Sequence, residues 1–102
     1  AEDFFISPER PASYALRQIR LGRAWTYLSG TRVKVREAAA ITDAPSLGEA
    51  IATSGVVLGT SEGGLMLGDI APEGSRAMPA ADWWRGRRFE GAITWGQAPS
   101  HP

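Results

Sequence analysis

Ala24-Trp25-Thr26-Tyr27-Leu28-Ser29-Gly30-Thr31-Arg32-Val33-Lys34-Val35-Arg36 reads as two short alternating runs separated by a two-residue turn. Successive side chains of a strand point to opposite faces. Val33 and Val35 therefore line one face of the second run, and Arg32, Lys34 and Arg36 line the other. Ser29-Gly30 supplies the turn, and the whole is expected to be a β-hairpin with an apolar inner side and a basic outer side.

The flanking sequence extends this pattern. Ser7-Pro8-Glu9-Arg10-Pro11 offers a capping serine and prolines suited to a first helical turn. Ala12, Ala15, Leu16 and Ile19 then recur at helical spacing and Gly22 stops the run, which predicts a helix near Pro11 to Leu21. Downstream, Asp43-Ala44-Pro45-Ser46 is a loop, and Leu47 to Ala52, Val56 to Thr60 and Leu65 to Ile70 are short strand candidates. The last two join across Glu62-Gly63-Gly64. Pro72-Glu73-Gly74 is another turn, and Pro79 opens a brief helix through Trp83 and Trp84 that Gly86 closes. Phe89 to Trp95 is the final strand candidate. About five or six short antiparallel strands with two flanking helices point to a mainly β domain, a small barrel or a sandwich.

Composition bounds the chemistry. A chain of 102 residues, 43% of them hydrophobic, can build one core. The absence of cysteine excludes a disulfide framework, a thiolate metal site and a cysteine nucleophile. The single histidine, His101, lies in a Pro/Ser-rich tail where nothing holds it in a fixed geometry. Scattered carboxylates such as Asp69, Glu73 and Asp82 have no spacing that would make them converge, and the glycines fall at turns and caps. No apolar run reaches the 18 or so residues of a membrane-spanning helix. The first residues lack both an initiator methionine and a basic signal region, so the chain reads as a piece of something longer. The expected organisation is a linker over 1–10, a folded domain over 11–97 and a disordered tail over 98–102.

Net charge is zero, yet its distribution is polarised. Arg10, Arg17, Arg20, Arg23, Arg32, Lys34 and Arg36 follow one another with no acid between them, and Glu37, Asp43, Glu49, Glu62, Asp69 and Glu73 follow with no base. Such a basic face either tracks phosphates or is an ordinary solvated surface. Trp83, Trp84, Arg85, Arg87 and Arg88 mix aromatic and basic residues in the way single-stranded nucleic-acid sites do. Adjacent helical positions cannot share one face, so one of the two tryptophans is expected in the core and the other partly exposed. Trp25 and Trp95 sit in strand patterns and are expected in the core.

Ala24-Trp25-Thr26 with Ser29-Gly30-Thr31-Arg32-Val33-Lys34-Val35 resembles the "A-[WY]-T … G-x-R-[LV]-K-[LIV]" hairpin that opens the C-terminal domain of the methionyl-tRNA formyltransferase-like family. Glu62-Gly63-Gly64-Leu65-Met66-Leu67 is similar to the family's "G-x-L-x-L" element. The run from Pro72 to Arg88 resembles its "P-x-G-[KR]-[KR]-x-M-x-A-x-[DE]-[FW]-x-x-G-x-R" signature. The resemblance implies a small open Greek-key barrel similar to an OB-fold. It also implies an upstream catalytic domain, absent from this chain, that binds 10-formyltetrahydrofolate and carries an Asn, His, Asp constellation. No catalytic residue or cofactor is carried over to this sequence. The implied role is to position the acceptor, tRNA in the tRNA-formylating members, in the cytoplasm and without a membrane partner. Candidate nucleic-acid contacts are Arg17, Arg20, Arg23, Arg32, Lys34, Arg36, Arg85, Arg87 and Arg88. Two departures keep an alternative open. Leu21-Gly22-Arg23 replaces a Pro-Trp-Pro-Gly-like loop, and Ser75 stands where a basic residue is common. The alternative is an interaction or oligomerisation module of an enzyme formylating a sugar nucleotide or another small amine.

Overall fold

The computed structural model describes residues 4–98. The expectation of a disordered tail, with His101 in it, lies outside the described residues except at its first position, and so does the start of the expected linker.

The hairpin forms as expected. Strands β1 (Trp25–Leu28) and β2 (Thr31–Val35) pair antiparallel, from Trp25 opposite Lys34 to Leu28 opposite Thr31. The turn places two consecutive residues in the left-handed region, Ser29 at φ 51° and Gly30 at φ 82°. Such a turn matches the right-handed twist of the flanking strands, and glycine takes up one of its two unfavourable positions without a Cβ clash. Thr26, Leu28, Val33 and Val35 point inward and are buried.

The remaining strands are β3 (Ala38–Ile41), β4 (Glu49–Ala52), β5 (Val56–Gly59), β6 (Gly64–Leu67), β7 (Asp69–Pro72), β8 (Met78–Pro79) and β9 (Ile93–Thr94). They make two antiparallel sheets, β1-β2-β7-β8 and β3-β6-β5-β4-β9, around one core. The fold is the expected mainly β open barrel with two helices. Nine strands stand among the described residues instead of five or six. The run Leu65 to Ile70 breaks at Gly68 into strands of different sheets, and Ala38–Ile41 is an additional strand held by pairing with β6.

Trp95 joins the sheets. It is fully buried, bridges to Leu28 of β1, and its indole N–H donates to the Gly59 carbonyl at 3.0 Å. The stretch expected as a linker contributes Ile6 to the core, and Thr26 Oγ donates to the Ile6 carbonyl at 2.9 Å. Phe4 to Ile6 run alongside the outer edge of β1: the Trp25 N–H donates to the Phe4 carbonyl and the Ile6 N–H to the Trp25 carbonyl. An edge covered in this way offers no template for another strand.

Helix α1 (Ala12–Arg20) packs against β3. Ser7 is not its cap: Pro11 occupies that position, Ser7 Oγ accepts from the Glu9 N–H, and the Ala12 N–H finds the Glu62 carbonyl at 3.1 Å. Helix α2 (Ala80–Arg87) ends at Arg88 in the left-handed conformation. Trp83 and Trp84 are both buried, contrary to the expectation for adjacent positions. Phe89, which follows the helix and packs against the same core, meets both rings with centroids at 5.6 and 5.0 Å. Among the described residues no helix is long and apolar enough to cross a membrane.

Candidate nucleic-acid interface

The period of two that buries Val33 and Val35 turns Arg32 and Lys34 outward on β2. The hairpin register sets Tyr27 opposite Arg32 and Trp25 opposite Lys34, so two aromatic rings share this outer face with two cations. Arg36 continues the row just past the end of β2, Arg23 stands at the corner before β1, and Arg20 ends α1. All five cations are exposed.

These groups line three neighbouring depressions that share lining residues and are together called the groove. The first, about 480 Å³, lies between Arg23, Trp25, Arg32, Lys34 and residues 71–75, the end of β7 and the turn after it. Lys34 is shared with the second, which Gly22, Ala24, Val35 and Arg36 complete. Gly22 and Arg36 are shared with the third, which reaches Arg20, Leu16, Ile19, Glu37 and Ala38. Two acids line the groove against the five bases, Glu73 at one end and Glu37 at the other. Among the described residues the one ion pair is Arg85 with Asp82, so none of the five cations is neutralised by a direct partner there. A row of unpaired, exposed cations can bind an extended anion, and phosphates of a nucleic-acid backbone meet that description.

The nine candidate contacts therefore divide. Arg20, Arg23, Arg32, Lys34 and Arg36 come together on the groove. Arg17 is exposed on α1, one turn before Arg20, outside the groove lining. Arg85, Arg87 and Arg88 lie on α2 and its end, and none of them lines the three depressions. Arg85 pairs with Asp82, and the Arg87 guanidinium lies 5.4 Å from the Trp83 ring and 5.8 Å from that of Phe89.

Trp25 is not a core residue, contrary to expectation: it is half-buried on the outer face. Phe5 and Tyr27 flank it at centroid distances of 4.9 and 5.4 Å, and the Arg32 guanidinium lies over its ring at 4.1 Å. The aromatic and basic mixture expected at Trp83 and Trp84 is thus exposed here instead. Phe5 is a site residue that periodicity does not single out, whereas Tyr27 shares the face of Trp25 in the alternating run Ala24 to Leu28.

Comparison with known proteins follows the same line. The family description "Formyl transferase, C-terminal domain" matches residues 1–88. The methionyl-tRNA formyltransferase of Thermobifida fusca is 44% identical over 85 residues, covering 74% of this chain and 27% of that protein. The methionyl-tRNA formyltransferase of Clavibacter michiganensis subsp. michiganensis is 42% identical over 84 residues, covering 76% and 28%. That of Thermus thermophilus is 52% identical over a shorter stretch of 42 residues, 41% of this chain and 14% of that protein. The chain spans 27% and 28% of the length of the first two of these relatives. With the match running from the first residue through α2 to Arg88, the chain belongs to the formyl transferase C-terminal domain family.

Proposed function

We propose that this chain is the accessory domain of a methionyl-tRNA formyltransferase acting at translation initiation in the cytoplasm, and that its groove holds the phosphate backbone of the tRNA acceptor. The observation that carries this reading is the convergence of Arg20, Arg23, Arg32, Lys34 and Arg36 on one groove without direct acidic partners among the described residues. Formyl transfer itself belongs to an upstream domain that binds 10-formyltetrahydrofolate. The sequence has no asparagine and one histidine, so it cannot supply the Asn, His, Asp constellation that the resemblance assigns to that chemistry.

Arginine and lysine neutralise phosphates and release counterions without reading bases. The domain thus supplies affinity and orientation, and the choice of tRNA rests on other contacts. With roughly four to six phosphate contacts, the slope of log K against log salt is about −3 to −5.

The test is a fluorescence titration of tRNA at several salt concentrations. Lys34→Glu with Arg36→Glu removes two contacts and adds two repulsions, and flattens the slope by about two units or more. Because both side chains face solvent, each change alters stability by no more than about 0.5 kcal/mol. Absence of binding at low salt, or equal binding by the double variant, overturns the reading. The groove would then be a contact surface for the upstream domain or another protein.

A further inference from the structure

We propose that the depression walled by Arg23, Trp25, Arg32 and Lys34 is a subsite for one unpaired nucleotide of RNA, its base stacked on Trp25 and its phosphates held by the three cations. The inference rests on the reading that the groove meets RNA, and adds to backbone contact a place where a base leaves its helix.

Trp25 differs from the other tryptophans. Trp83, Trp84 and Trp95 are 6%, 9% and 0% exposed and belong to the core, whereas Trp25 is half-buried on the outer face. Phe5 meets its ring at 52° and Tyr27 at 84°, contacts that hold the indole in a fixed orientation. The Arg32 guanidinium, at the end of a long and exposed side chain, lies over its ring at 4.1 Å.

An exposed cation–π contact changes an equilibrium by about two- to fivefold. Stacking of a base on an aromatic ring is worth about fivefold to a hundredfold or more. A base therefore replaces the guanidinium over the indole. Arg32 is released to join Arg23 and Lys34 on the phosphates flanking that base.

The depression, about 480 Å³, lies within the range of roughly 300–1,000 Å³ typical of small-ligand sites. Its one carboxylate, Glu73, repels phosphate but accepts a hydrogen bond from an exocyclic amino group, as carboxylates do from cytosine. A base paired within an A-form helix presents no ring face to the protein, so the subsite takes only an unpaired nucleotide.

The experiment titrates the full chain with hexacytidylate RNA and, separately, with a blunt-ended RNA duplex, following tryptophan emission in the wild type and the fluorescence anisotropy of a 5′-labelled RNA for the wild type and every variant. The hexamer should quench the one accessible tryptophan and the duplex should not. Trp25→Leu should weaken hexamer binding about tenfold while the salt slope for tRNA stays as in the wild type. Trp25→Phe keeps a ring and should retain most of the affinity; with Arg23→Gln, which changes only an exposed side chain and should weaken the hexamer several-fold, it decides the matter if the leucine variant does not fold. The proposal is overturned if the hexamer causes no quenching at concentrations where tRNA binds, if the duplex quenches equally, or if folded Trp25 variants bind unchanged. Loss of tRNA binding alone would count against the groove reading; loss of the hexamer effect alone counts against the subsite.

Discussion

Replacing Trp95 tests how the two sheets are held together. The side chain is fully buried, its N–H donates to the Gly59 carbonyl at 3.0 Å, and its backbone N–H donates to the Gly48 carbonyl at 3.1 Å. Its position lies beyond Arg88, where the family match ends. Truncating a buried tryptophan to alanine costs about 3–5 kcal/mol through lost transfer energy and the residual cavity. The lost hydrogen bond adds about 0.5–1.5 kcal/mol. No orphan penalty follows, because the Gly59 carbonyl keeps the Gly48 N–H at 3.0 Å. Trp95→Ala should therefore cost about 3.5–6.5 kcal/mol, a large share of the roughly 5–15 kcal/mol by which a domain is stable. Trp95→Phe keeps most of the ring volume and should cost about 1–3 kcal/mol. Each kcal/mol lowers Tm by about 4–8 °C in a domain of this size. Urea denaturation followed by far-UV circular dichroism reads both variants. An alanine variant that loses less than about 1.5 kcal/mol, or one indistinguishable from phenylalanine, would show that the C-terminal segment is not an integral part of the barrel.

Two other substitutions probe the segments around the site. Thr26→Val keeps the shape but leaves the buried Ile6 carbonyl without the hydroxyl that donates to it; it should cost about 1–3 kcal/mol and speed amide hydrogen exchange in residues 4–8, which mass spectrometry can follow. Gly59→Ala places a Cβ against the carbonyl oxygens of Pro45 and Ser46, which are backbone atoms with little freedom to yield. The expected loss is about 1–3 kcal/mol, and an unchanged Tm would mean that the 45–46 loop moves aside at no cost.

Much of the scaffold was legible in the sequence because its signals are local. Alternation around Ser29-Gly30 specified the hairpin and the outward row of Arg32, Lys34 and Arg36, and helical spacing specified α1. Ala38–Ile41 was not legible. Its composition carries little strand preference and its exposed positions do not alternate with buried ones; it is extended because Ala38 to Ile41 pair with Leu67 to Gly64 of β6. The break at Gly68 was hidden for a similar reason, since Leu65 to Ile70 reads as one apolar run whichever sheet each half joins.

The candidate site divides along the same line between local and non-local information. Trp25 facing outward was available from the turn: a two-residue connection sets Leu28 opposite Thr31, and counting back three pairs puts Trp25 opposite Lys34, on the basic face. The apolar character of the ring argues for the core, and the register overrides it. Phe5 could not be found this way, because it reaches Trp25 through pairing between segments twenty residues apart, which leaves no period in the sequence. The basic residues behave alike. Those on one hairpin could be grouped from alternation, but that Arg20 and Arg23 close the same groove while Arg85, Arg87 and Arg88 stand apart depends on where the two helices pack. A charge run along the chain thus specifies how many cations a surface can present. The tertiary fold decides which of them one ligand can touch at once, and here that division leaves five on the groove.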